Sequence, residues 1–533
     1  MPVAFILGVK IFFLILFFFV SLCGKSQITV SHGPELQTDR DFKMNRIIGG
    51  DAEHFYVYRI RSRGFGTDYY IEKYNKQSLK REFLKPIPLP DDGAAEILDV
   101  LLSQNNICIF YKIYNKKTDQ KSLVLQNMST NGDLAPELKE IKTVMAGKSQ
   151  YAWFKVVPNE DTSKFLIVTE HHQEKNEIKK INLLLMDAKN IKKLWEKELP
   201  ALYNNMAMDV MDYKTDNADN AYFLFRTLGR QYGEKRATYK TYIGVLKNTG
   251  EQVQVSELPI ANDFYVSDVE FLKNNNQLVC AGFYKDIIER QGRDLIDVGV
   301  FYYAFNFDTG ELISKSAKLF SDDLLAKLTF RRQQPGNFDY KIDYIKKIGN
   351  DIYLVGQQYS EEYVYYYNPS TRSSTSYWYY DYKDILVTKL NANDEIDWVK
   401  NIPFRYSMRM SNPHIFMHYF AYSTPNNLYI FYDDNHKNFT GNTFADYDPK
   451  KIKYYGSIHG SNFMGAQINL GNGSLTRQLV FENKDYCFAP IQENNLQFIP
   501  ANNTQIFVSD GNGQIIIYTE NRGDERFSKL KLE

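Results

Sequence analysis

Cysteine is scarce in this chain. There are four in 533 residues and none forms a CxxC pair, so the spacing encodes neither a disulfide framework nor a zinc site. Net charge is lacking as well. The 64 Lys and Arg residues balance 64 Asp and Glu, which argues against the basic surplus of a nucleic-acid binder. Beyond the first thirty residues no uncharged run reaches the roughly 20 residues of a spanning helix, so no transmembrane segment is expected in the mature chain. Helical periodicity is nearly absent. The sequence has no G-x-S-x-G, P-loop, HExxH or EF-hand loop, and no G-x-G-x-x-G between a strand and a helix. No catalytic residue, metal site or cofactor is therefore expected.

What the chain has instead is aromatic side chains, with 40 Tyr and 36 Phe in a composition that is 44% hydrophobic. That content excludes wholesale disorder. The N-terminus reads as an export signal. Lys10 precedes the uncharged IFFLILFFFV of residues 11–20, and the apolar run ends at Cys23. Such a run is too short to span a bilayer and suits a signal-peptide core. Gly24 and Ser26 place cleavage before Gln27; lipidation at Cys23 is the rival, disfavoured by the large Leu22 before it. The expected organisation is a signal peptide over 1–26, a linker over 27–45 and one repeat domain over 46–533. Cys108 (in NNICIFYKIY) and Cys280 (in NQLVCAGFY) sit in strand-like runs and read as buried small hydrophobes. One disulfide among Cys108, Cys280 and Cys487 is the alternative in an oxidising compartment.

Short runs of Tyr, Phe, Ile and Val recur between polar clusters, as many short strands with tight turns would. The clearest column is HFYVYRI (54–60), ICIFYKIY (107–114), KFLIVTE (164–170), AYFLFRTL (221–228), QLVCAGFY (277–284), DIYLVGQQY (351–359), NLYIFYDD (427–434) and QIFVSD (505–510). Each is read as the second strand of a unit whose third and fourth strands form a hairpin, as in YYAFNFDTGELISKSAKL (302–319) and AQINLGNGSLTRQLVF (466–481). Four strands per unit at this period predict an all-β fold, a β-propeller. A four-stranded sheet with two apolar faces cannot hide them alone, whereas blades stacked in a ring bury both. Eight blades is the favoured count; seven results if the first and last units share one blade.

The leader ending in GKSQ, the Asn/Lys/Tyr-rich composition and these hairpins resemble those of exported β-propeller proteins of the Bacteroidota. The resemblance covers 46–533 and implies a periplasmic, outer-membrane-associated or cell-surface protein. One concrete version is an accessory or plug subunit of an outer-membrane secretion or transport channel. The GH…WD, kelch Gly-Gly, sialidase and quinoprotein signatures of named propeller families are missing.

Four units carry long insertions between second and third strands, over 226–241, 285–297, 360–384 and 434–463. A propeller sends all such connections to one face, and long loops on a compact scaffold are usually functional. The segment 360–384 predicts a long hairpin with its tip at 368–376. Its Tyr363, Tyr365, Tyr367, Tyr377, Trp378 and Tyr380, with Arg226, Arg230, Arg236 and Arg293 from other insertions, are the candidate partner face, because Tyr, Trp and Arg dominate protein recognition. The competing reading is that these tyrosines cover the hairpin and the arginines are solvated. His414 and His418 share a strand face but assemble no metal site alone, and the acid pairs Asp91–Asp92, Glu361–Glu362 and Asp433–Asp434 suit turns and loops. The expected function is a non-catalytic envelope protein that binds a protein partner. The alternative is a glycan-binding protein or carbohydrate-active enzyme, which would need two carboxylates roughly 5–10 Å apart in the funnel.

Overall fold

Seven of the eight apolar runs in the column become second strands, and they are apolar without alternation because both their faces are covered. Leu166, Ile167 and Val168 are all fully buried, as are Ile107 to Tyr111. Fourth strands, at the outer edge, are less covered: Lys192–Glu198 runs exposed with half-buried positions at Trp195 and Lys197. The structure is a computed structural model that describes residues 28–37, 42–63, 66–90, 94–171, 180–199, 208–229, 238–248, 253–259, 264–286, 297–328, 339–391, 395–410, 415–416, 419–439, 452–454, 461–482, 487–488, 492–493, 507–509, 513–521 and 524–532.

Among the described residues the strands form eight antiparallel sheets built on four strand positions, seven of them in meander order, and one separate pair, Ile415–Phe416 with Gln492–Glu493. Blades 1 to 7 cover 42–87, 94–145, 152–198, 208–257, 264–319, 339–402 and 419–482. The chain is an eight-bladed β-propeller. Its ring is visible in the packing. Seven apolar clusters lie between blades: 1 and 2, 2 and 3, 3 and 4, 4 and 5, 5 and 6, and 6 and 7. The seventh joins blades 7, 8 and 1 through Phe431 and Phe463, Ile515 to Tyr518, and Phe55 and Tyr74. First strands of neighbouring blades approach one another, which puts them innermost.

Blade 8 corrects two expectations. The described residues of the expected linker 27–45 are not a linker. Thr29–His32 pairs with Lys531–Ser528, and Leu36–Gln37 pairs with Glu525–Asp524, so the N-terminal segment is the outer strand of the last blade. Blade 1 already begins at Phe42. In addition, QIFVSD is not a second strand. Phe507–Ser509 takes the inner place beside Gln514–Asn521, which is the true second strand. The column slips here because the C-terminal end supplies three strands rather than four. Both chain ends share one blade, yet the count stays at eight, since the N-terminal strand lies ahead of unit 1.

Ile28 and Gly33 lock this clasp. Ile28 is buried in the cluster of blades 7, 8 and 1. At Gly33 a Cβ would stand 2.6 Å from Leu79 Cβ and 3.0 Å from the Phe527 carbonyl oxygen, so close approach requires glycine. The turns between third and fourth strands repeat one device. Asn75, Asp187, Asn306 and Asn469 each accept from backbone N–H groups two or three residues on. The residue four positions later is left-handed in each: Leu79, Ile191, Gly310 and Gly473.

Candidate functional site

The connections between second and third strands leave one end of every blade, as do the links from one blade to the next. On that face blade 6 is extended. Its second and third strands, Asp351–Asn368 and Ser373–Leu390, pair almost without break from the core to Asn368↔Ser373. The expected hairpin is present, with a tighter tip at 369–372 where Arg372 is left-handed. A short strand, Tyr406–Met410, pairs with Trp378–Tyr382 and stiffens the base.

Cross-strand register sorts the candidates by face, because directly opposed residues share a side. Tyr363 opposes Trp378, Tyr365 opposes Ser376, Tyr367 opposes Ser374, and Glu361 opposes Tyr380. Tyr363, Tyr365, Tyr367, Trp378 and Tyr380 therefore form one ladder. Tyr363 and Trp378 rings lie 4.9 Å apart. Tyr377 belongs to the other side, with Val364, Tyr366 and Tyr379, where Arg409 sits 4.3 Å over its ring. There Tyr366 and Tyr379 share a hydrogen bond, which raises the Tyr366 phenol and, with Arg409, lowers that of Tyr379.

Exposure then divides the ladder. Tyr363, Tyr365, Tyr366 and Tyr367 are each more than half exposed, whereas Tyr380 is 0% exposed and packs in the core between blades 6 and 7. Tyr380 is a core residue, not part of a partner face, because it sits at the base of the hairpin beside Tyr359 and Tyr382. Arg226 lies on the second strand of blade 4 and pairs with Asp209 at 2.9 Å. Arg230, Arg236 and Arg293 lie outside the described residues, as do His414, His418 and Asp91–Asp92. Glu361 and Glu362 are exposed at the hairpin base, while Asp433 and Asp434 are buried. Burial pushes Asp434 up to about 6. Cys108 and Cys280 are buried free thiols, and burial pushes Cys108 up to about 12.

A second set of polar residues, unread in the sequence, ties the blades together. Every seam has a tie. Arg46 pairs with Asp99 between blades 1 and 2, and Ser103 Oγ donates to the Thr162 carbonyl at 2.5 Å between 2 and 3. Lys155 lies 3.5 Å from Asp212 between 3 and 4, and Lys214 lies 2.5 Å from Glu270 between 4 and 5. Asp268 Oδ2 accepts from the Ile342 N–H at 2.7 Å between 5 and 6. Tyr419 OH donates to Asp343 between 6 and 7, and Tyr422 OH and Ser509 Oγ are 3.2 Å apart between 7 and 8. Arg59 and Glu525 close the ring.

Most of these groups stand on first strands near the axis, so burial shifts their titration. It pushes Asp268 up to about 7 and raises Asp343. It raises Glu270 too, against the pull of Lys214. Burial would lower Lys214, but Glu270 and Asp212 outweigh it and the net shift is upward. A sequence signal existed. LDV (98–100), MDY (211–213) and SDV (267–269) place an Asp just after the bulged residue of three first strands, and in IDY (342–344) Asp343 is itself the bulged residue.

No family model matches the sequence, and no curated protein matches it. Solved structures with a similar fold include the β-propeller domain of the Trilobed protease from Pyrococcus furiosus, at 10% identity and a TM-score of 0.34, covering 83% of this chain and 97% of that one. Polysaccharide lyase Uly1 is similar at 9% identity and a TM-score of 0.39 over 82% of this chain and 90% of that one. The WD40 domain of SCAP from fission yeast is similar at 8% identity and a TM-score of 0.30, over 76% and 96%. At these identities the likeness concerns the fold alone.

Proposed function

We propose that this propeller is a non-catalytic binding protein of the cell envelope, which holds a protein partner on the face bearing the long connections. The observation that carries the reading is the solvent-facing row Tyr363, Tyr365 and Tyr367 on a ribbon that projects past its blade. Tyrosine offers rigid contact area at low entropic cost, and such a row is an interaction site rather than ordinary surface. The polar ties support the same reading. Asp99, Asp212, Glu270 and Asp343 are each engaged by a neighbouring blade, which suits a scaffold. Localisation to the periplasm or outer membrane belongs to this proposal and draws on the leader, whereas an accessory or plug role at a secretion or transport channel draws only on the resemblance to exported β-propeller proteins of the Bacteroidota.

A photo-crosslinking residue at Tyr367 in the native cell tests it. A discrete adduct lost on Tyr363→Ser/Tyr365→Ser substitution is expected; the same adducts with and without those tyrosines would overturn it. A second reading, glycan binding, draws on the hydroxyls of Ser374 and Ser376 opposite Tyr367 and Tyr365, since sugars stack on rings and bond to hydroxyls. A glycan array separates the two.

A further inference from the structure

In blade 6 the first strand, Asp339–Ile348, pairs with the second only as far as Tyr359. The second strand continues to Asn368, paired on its other side with the returning strand. Among the described residues nothing pairs with its outer edge over 360–368. An open edge is a template for another strand, and natural edges are normally blunted by Lys, Pro or a bulge. SEEYVYYYN (360–368) contains no Lys or Pro, and its register does not shift. Its four Tyr and one Val are strong strand formers.

We infer that a second copy of this chain occupies this edge, by antiparallel pairing of the two 360–368 segments about a two-fold axis at Tyr365. The inference rests on the reading of the hairpin as an interaction surface and names one occupant. Two features select a second copy. The first is self-complementarity, which a two-fold interface requires. Pairing centred on Tyr365 sets Tyr363 against Tyr367 of the second copy and Val364 against Tyr366 of the second copy. Six tyrosines then share one face, and Glu362 meets Asn368 of the second copy, so no like charges oppose.

The second feature is charge along the ribbon. Glu361 and Glu362 stand exposed at its base and Arg372 stands exposed at its tip. Antiparallel pairing carries each tip toward the base of the other copy, so basic meets acidic at both ends. The two propeller bodies are left at opposite ends of the joined ribbon, clear of each other. Main-chain hydrogen bonds and cross-strand aromatic pairs supply the adhesion.

Sedimentation velocity of the mature chain tests the inference, with two variants. Val364→Lys/Tyr366→Lys places charges on the edge and leaves the Tyr363–Tyr365–Tyr367 row intact. Tyr365→Cys places a thiol against its own copy, and Thr375→Cys on the returning strand is its control. A concentration-dependent dimer is expected, monomeric in the lysine variant with circular dichroism unchanged. Mild oxidation should give a linked dimer for Tyr365→Cys and none for Thr375→Cys. A chain that stays monomeric at every concentration, or a dimer that Tyr365→Cys fails to trap, overturns the inference. If the lysine variant misfolds, the thiol trap decides alone. Adduct formation at Tyr367 in a monomeric chain would sink the dimer and leave the partner-binding role standing.

Discussion

Arg59 and Glu525 come from opposite ends of the chain and meet, 2.5 Å apart, in the buried seam where blade 8 closes on blade 1. Neither side chain reaches bulk solvent to any extent: Arg59 is fully buried and Glu525 nearly so. Arg59 also bonds to Glu72, which holds Arg81 at 2.7 Å and accepts from Tyr74 OH at 2.9 Å. Arg59, Glu72 and Glu525 thus lie buried together, and the exposed Arg81 supplies the second positive charge from the edge of the cluster. Burial works against the Arg59 cation, but Glu72, Tyr74 and Glu525 outweigh it and the guanidinium is held more firmly charged.

Removing one partner from that cluster leaves a buried charge unpaired. Glu525→Ala is expected to cost about 3–5 kcal/mol, read as a lowered urea midpoint. An unchanged midpoint would mean that the seam opens to water.

The clasp depends on glycine at position 33. Gly33→Val is expected to push Thr29–His32 off the blade at a cost of about 1–3 kcal/mol. Thermal melting and protease sensitivity at the N-terminus would measure it.

Within the ladder, burial rather than residue type sets the energetic role. Tyr380→Ala should destabilise by about 3–5 kcal/mol, as large core truncations do. Tyr365→Ala should stay within about 0.5 kcal/mol. Equal effects in chemical denaturation would contradict the division described above.

Gln104 is exposed and left-handed in the turn between the first two strands of blade 2, at φ 52°. The same turn in blade 6 uses Gly349 at φ 62°. Gln104→Gly is expected to stabilise by about 1 kcal/mol, since it relieves strain without losing packing. A lower melting temperature would refute this.

Acid should be tolerated well. Asp268 is pushed by burial to about 7, from an ordinary carboxyl near 4, beside Glu270, Lys341 and two backbone N–H groups. A raised carboxyl means the folded state binds the extra proton between those values, so stability declines as pH rises through that window. Asp434, at about 6, acts in the same sense. Asp216 opposes them only in strong acid. Burial would raise it, but hydrogen bonds from Tyr222, Asn220 and Lys273 hold it at about 2, and its contribution is lost as pH falls from 4 to 2. Denaturation midpoints in Asp268→Asn should therefore fall less between pH 5 and 8 than in the parent chain.

Much of the candidate hairpin was legible. Pro369 and the alternating tyrosines of 360–384 marked a long ribbon because strand pairing and turn chemistry are local. The parity that sets Tyr377 apart from Tyr363 and Trp378 was not, since it depends on cross-strand register. The axial aspartates were visible in the sequence, but a lone Asp in a strand gains meaning only when a donor arrives from a neighbouring blade, as Arg46, Lys155, the Ile342 N–H and Tyr419 do.

The sequence by itself determined the strands, their grouping in fours and the ring that must bury two apolar faces per sheet, because those follow from periodicity over neighbouring residues. Tertiary structure alone decided that Thr29–His32 completes the last blade, and that Tyr380 is core while Tyr365 faces water. Both outcomes depend on contacts between segments far apart in the chain, where residue type does not fix which partner is met.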